Sequence, residues 1–116
     1  SNPPILALAP VHASLAIFDE VGMPALRAKS LKLTAYLAAI VDSIGGAEIV
    51  TPRDPAARGC QLSLRFPDAA ARLARLEAAG VVADFREPDI IRVAPVPMYN
   101  SFHDVWRFGQ ALKEIA

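Results

Sequence analysis

The chain has 116 residues, 53% of them hydrophobic and 21% charged, with 12 basic against 12 acidic residues and a formal net charge of zero. That length suits one domain, and the zero balance argues against nucleic acid as a partner, because phosphate binding draws on clustered Lys and Arg that release counterions. The longest apolar stretch, Ile5 to Ile17, is interrupted by Pro10 and His12 and falls short of the about 20 residues that cross a membrane. Nothing basic precedes it and no small-residue cleavage site follows it, so it does not read as a secretory signal. Cys60 is the only cysteine, which leaves no intrachain disulfide and makes the reducing cytoplasm the expected compartment.

The 10 prolines exceed the average usage of about 5%. A high apolar fraction without net charge to keep molecules apart implies that part of the apolar surface belongs against something else.

Asn2 before Pro3 and Pro4 reads as an N-cap with prolines in the first turn. It opens a helix over 3–20 in which Val11, Leu15 and Phe18 recur at helical spacing, and Pro10 is expected to kink or restart it. Gly22 ends it. A second helix starts near Pro24 with Leu26, Leu33, Leu37, Ile40 and Ile44 on one stripe and stops at Gly45-Gly46. Glu48 to Thr51 reads as a short strand, Pro52 to Pro55 as a turn, and Cys60 to Phe66 as a half-buried strand in which Leu62, Leu64 and Phe66 alternate with Gln61, Ser63 and Arg65.

Asp68 is expected to cap a third helix with Ala69, Leu73 and Leu76 inward and Gly80 closing it. Strands over 81–86 and 90–93 follow, separated by Glu87-Pro88-Asp89. The proline-rich 94–100 segment cannot be helical. Ser101 and Asp104 form a capping box with Asp in the usual Glu position, opening a last helix with Val105, Phe108, Leu112 and Ile115 inward. The element order predicts an α+β fold with helices packed on one face of a small, mainly antiparallel sheet.

Few residues offer chemistry. A lone thiol needs a basic neighbour and exposure to act as a nucleophile, and Cys60, at the start of an apolar-faced strand, reads as a small buried hydrophobe. His12 and His103 have no companions at metal-ligand spacing, since Asp104 is spent as a cap, so no metal site is expected. Lys29, Lys32 and Lys113 lie on polar helix faces, and none reads as the desolvated lysine of Schiff-base chemistry. Arg92 stands apart because it interrupts the apolar run Ile90-Ile91-Arg92-Val93-Ala94. Two readings stand for it: a salt bridge to Asp84, Glu87 or Asp89, or a clamp for a ligand carboxylate, for which the planar fork of Arg is suited. The loop from Pro95 with Tyr99 and Asn100 reads either as a pocket wall or as a plain connector.

Several stretches together resemble the C-terminal part of the kynureninase family, pyridoxal-phosphate enzymes of the aspartate-aminotransferase fold. They are Ser1 to Ile5, Leu26 to Ser30 with Leu33-Thr34, Ile49 to Pro52, Arg58 to Leu62, Gly80 to Val82 with Asp84, and the long run Ile91 to Val105. They cover nearly the whole chain, divided as a leading helix over 1–22 and a small domain over 23–116. The resemblance implies a cytoplasmic homodimeric hydrolase that cleaves L-kynurenine or 3-hydroxykynurenine to an anthranilate and alanine. It also implies that the pyridoxal 5'-phosphate is held mainly by a large domain outside this chain. By the same resemblance Arg92 falls on the arginine that binds the substrate α-carboxylate. Ser1 and Asn2 fall on a pair near the aryl ring of the substrate in the neighbouring subunit, although Ser1-Asn2 also reads as the remnant of an expression tag. Pro10 departs from the uninterrupted helix expected there. The other readings are a free-standing carboxylate-sensing or dimerisation module and the small domain of another pyridoxal-phosphate enzyme.

Overall fold

A computed structural model describes residues 2–116. In chain order the elements are α1 (Ile5–Val21), α2 (Met23–Ile44), β1 (Glu48–Ile49), a single 3₁₀ turn (Pro55–Ala57), β2 (Leu62–Arg65), α3 (Ala69–Ala78), β3 (Asp84–Arg86), β4 (Ile90–Val93) and α4 (Phe102–Glu114). The four strands form one antiparallel sheet in the order β1-β2-β4-β3.

Strand alternation sorts the sheet into two faces. Leu62, Leu64, Ile91 and Val93 are buried and join Leu33, Leu37 and Val41 of α2, Leu76 of α3 and Val105, Phe108 and Leu112 of α4 in one core. The expected α+β layering is therefore present, with α2, α3 and α4 gathered on the apolar face. The other face carries Asp84, Arg92 and Ser63 in one cross-strand row and Arg86, Ile90, Arg65 and Glu48 in the next.

The α4 helix begins as its sequence predicts. The Ser101 hydroxyl accepts from the Asp104 amide at 3.1 Å and the Asp104 carboxylate accepts from the Ser101 amide at 2.8 Å, a reciprocal capping box. The end of α3 also follows expectation. The Gly80 amide donates to the Glu77 carbonyl and the Val81 amide to the Leu76 carbonyl, with Gly80 at a φ of 81°. This is the Schellman closure that favours glycine. Because that closure uses the Val81 amide and leaves Val82 almost fully exposed, the strand expected over 81–86 is shortened to Asp84–Arg86.

Four other expectations are corrected. Asn2 is not a cap, since Pro4 occupies the N-cap position and helical geometry starts only at Ile5. Pro10 does not break α1, which runs on to Val21; it forgoes one amide hydrogen bond, and the chain turns instead at Gly22, where α1 and α2 meet at 83°. Asp68 sits at the N-cap of α3 without a cap bond, because its carboxylate accepts from Arg72 Nε at 2.6 Å. The buried stripe of α2 is Leu26, Ser30, Leu33, Thr34, Leu37 and Val41, whereas Ile40 and Ile44 sit at its border. Thr34 fits because its hydroxyl donates to the Ser30 carbonyl, the back-bond that satisfies a buried hydroxyl in a helix.

Helices α2 and α4 cross closely at Gly109, where an added Cβ would lie 2.6 Å from Ile40 Cγ2. In Gly109→Ala the helix-propensity gain of about 1 kcal/mol opposes an overpacking loss of about 1–3 kcal/mol. The expected result is a net destabilisation of about 1 kcal/mol in urea unfolding. Ile40→Ala in the same chain relieves it, and a double-mutant cycle without coupling refutes the crossing as the cause.

Among the described residues no single helix is long and apolar enough to cross a membrane. Helix α1 nevertheless stands out: it is apolar on every side, yet none of its residues is buried. The radius of gyration is 16.2 Å, against about 13 Å for a compact domain of this length, which reflects how far α1 projects.

Candidate functional site

Arg92 lies mid-way along β4 on the open face of the sheet, between Asp84 of β3 and Ser63 of β2. Its Nε donates to Asp84 Oδ2 at 2.7 Å, and its Nη2 donates to the same oxygen. Arg86 Nη2 approaches that oxygen at 3.1 Å. The local reading of Arg92 as a salt-bridge partner of Asp84 is therefore realised. The pair leaves Nη1 without a hydrogen bond among the described residues, and 32% of the Arg92 side chain stays exposed. The hydrogen bond from Arg92 holds the Asp84 carboxyl below its ordinary value, as expected for a carboxylate whose charged form accepts from a cation.

The neighbouring row continues the ionic pattern, with Arg65 bonded to Glu48 at 2.7 Å and to Asp89 at 3.3 Å. Three arginines and three carboxylates thus pave this face.

Hydrogen bonds also hold the carboxyls of Asp42, Asp68 and Asp104 below the ordinary range, through Arg53, Arg72 and the Ser101 amide respectively. A carboxyl with a lower pKa folded than unfolded adds stability at neutral pH that is lost as pH falls through the folded value. The melting temperature is expected to hold from pH 7 down to about 4 and to fall below it. Asp104→Asn should lower the neutral melting temperature and make the acid fall shallower; an unchanged acid slope refutes its contribution.

Lys29 Nζ donates to the Pro97 carbonyl at 2.7 Å and ties α2 to the segment after β4. Within that segment Asn100 Oδ1 accepts from the Val96 amide at 2.9 Å. An open groove of about 560 Å³ lies on the helix side, lined in part by Val93, Pro95, Tyr99, Asn100 and Arg107. The segment therefore does form a pocket wall, but Arg92 does not line it, because Arg92 and Val93 face opposite sides of the strand.

Asn2 is exposed in the extended residues ahead of α1, and no hydrogen bond links it to Arg92. Ser1 lies outside the described residues. Cys60 is half-buried and free. Sequence reasoning did not single out Arg58, whose Nε and Nη1 are buried with no acceptor among the described residues. The Arg92–Asp84 match had a sequence signal: a hairpin centred on Pro88 places 84 opposite 92, as the observed register does.

The C-terminal domain model of kynureninase matches residues 26–112. The chain belongs to the kynureninase family. It is 55% identical to the kynureninase of Xanthomonas euvesicatoria pv. vesicatoria (strain 85-10) and to that of Salinispora tropica, in each case over 97% of this chain and 28% of the relative. The same identity holds with the kynureninase of Myxococcus xanthus (strain DK1622), over 97% of this chain and 27% of the relative. The chain thus spans little more than a quarter of the length of these kynureninases, and the match places it at their C-terminal end.

Proposed function

We propose that this chain is the carboxylate-recognising small domain of a pyridoxal-phosphate-dependent kynureninase. The intact enzyme hydrolyses L-kynurenine or 3-hydroxykynurenine at a carbon–carbon bond, giving anthranilate or 3-hydroxyanthranilate and alanine. The observation that carries the reading is Arg92: a partly exposed guanidinium on an otherwise paired face, with Nη1 free of hydrogen bonds among the described residues, at the position where the family resemblance expects the α-carboxylate ligand. A planar fork of this kind binds a carboxylate through two parallel hydrogen bonds.

Two further features support a larger assembly around this domain. An all-round apolar helix needs cover, and α1 has none here. Buried guanidinium donors are rarely left unpaired, and Arg58 has two; acceptors from the large domain would satisfy them. In this reading α1 lies against the large domain or the second subunit of a cytoplasmic homodimer. Asn2, with Ser1 beside it, reaches the aryl ring of the substrate in the neighbouring subunit.

This chain offers no lysine for cofactor attachment: Lys32 and Lys113 are exposed and Lys29 is held by Pro97. The cofactor therefore belongs to the large domain, where it serves as the electron sink of the reaction. The task of Arg92 is to fix the substrate carboxylate and so the orientation of the reacting carbon.

The test is turnover by the full-length protein, read as anthranilate release from L-kynurenine and its 3-hydroxy form. Activity with either substrate is expected, and none from the 116-residue chain alone. A full-length protein that turns over neither substrate overturns the reading. So does a gene that starts at this chain, which would point to a free-standing carboxylate-binding module.

A further inference from the structure

The two edges of the Arg92 fork differ. Asp84 Oδ2 takes the Nε–H and one Nη2–H, so the Nε/Nη2 edge is occupied by protein. The Nη1/Nη2 edge keeps two parallel N–H groups with no partner among the described residues. Asp84 is also the direct cross-strand neighbour of Arg92, which fixes the anchor point on the rigid sheet and not on a loop. A long arginine side chain carries large rotamer entropy, and a fork clamped in advance does not have to be ordered when the ligand arrives.

From this geometry we propose that Asp84 is a positioning residue for carboxylate recognition: by holding the Nε/Nη2 edge of Arg92 it presents the Nη1/Nη2 edge to the α-carboxylate of the substrate, which binds end-on. The proposal rests on the reading of Arg92 as the carboxylate ligand. Its charge balance is favourable, because Arg92, Arg86 and Asp84 together carry one net positive charge, enough to attract an anion despite the nearby carboxylate. A structural role alone predicts little. The Asp84 side chain is 46% exposed, and ion pairs at such sites contribute little to stability. Loss of Asp84 should thus disturb recognition more than folding.

The experiment uses the intact holoenzyme with two competitive inhibitors, an aryl-ketone amino acid and its analogue lacking the α-carboxylate. In Asp84→Ala the inhibition constant of the carboxylate-bearing compound is expected to rise about tenfold, the loss of one oriented charged hydrogen bond. That of the analogue should stay unchanged, while Asp84→Asn, which keeps an acceptor, stays within about threefold of the parent. Asp84→Ser gives a second truncation should the alanine variant fail to fold. Equal weakening of both inhibitors, or no weakening, overturns the positioning role. Arg92→Ala separates the two levels. If it abolishes discrimination between the inhibitors while the Asp84 variants do not alter it, only the positioning role fails. If it leaves discrimination intact, the reading of Arg92 itself fails.

Discussion

Replacing Arg92 by alanine in the intact enzyme is expected to lower kcat/KM for L-kynurenine by about two orders of magnitude, with the absorbance of the bound cofactor unchanged. The size follows from the chemistry of the contact. Truncating one partner of a hydrogen-bonded charge pair costs about 2–5 kcal/mol, partly because the other charge is left without its counter-ion, and each 1.4 kcal/mol is tenfold. The loss should appear largely in KM if the carboxylate is held equally in ground and transition states, and in kcat as well if the clamp also orients the reacting carbon. Arg92→Lys separates charge from shape: it keeps the cation but loses the fork, so it should fall between parent and alanine. Near-normal kinetics in Arg92→Ala would remove this residue from the site. A stability artefact is unlike either result, because Arg92 is on the open face of the sheet and its partner Asp84 is half-exposed.

The largest stability effect is expected from Leu64→Ala, about 3–4 kcal/mol in urea unfolding of the chain. Leu64 is completely buried at the middle of the sheet, paired with Ile49 on one side and Ile91 on the other. Its neighbours are held by backbone ladders on both flanks and by helices above, so the site cannot collapse around the missing atoms, and large-to-small changes in such places fall at about 2–5 kcal/mol. Set against the roughly 5–15 kcal/mol total of a typical domain, this is a loss that lowers the melting temperature by well over 10 °C at this length. A change below about 1 kcal/mol would mean that the two-layer core is not packed as described.

Much of this architecture was legible before the structure because local rules and tertiary packing agree. The alternation in β2, the capping box at Ser101 and the glycine closure at Gly80 each have a local cause and each appears in place. What misled was competition for a group that local reading assigned once. Asp68 looked like a cap, but Arg72 one turn later takes its carboxylate. The strand expected from Val81 lost its first residues to the helix closure that uses the Val81 amide. The aliphatic residues of α2 mark only part of its stripe, because the burial of Thr34 depends on a back-bond that composition does not reveal. For the site, Arg92 was conspicuous as a charge in an apolar strand. Its partner was one of three acids within reach, and only the hairpin register selects Asp84. The link from Lys29 to Pro97 spans 68 positions, and orphaned donors such as those of Arg58 are visible only once everything around them is placed.

The polar row Asp84–Arg92–Ser63 also bears on folding. Side chains alternate across a strand, so sliding β4 by one position against β2 or β3 would turn Arg92 into the core and expel Ile91 and Val93. An unpaired guanidinium among leucines is penalised by several kcal/mol. Misaligned hairpins are therefore short-lived, and the Arg92 charge works as a key cut for a single alignment of the central strands.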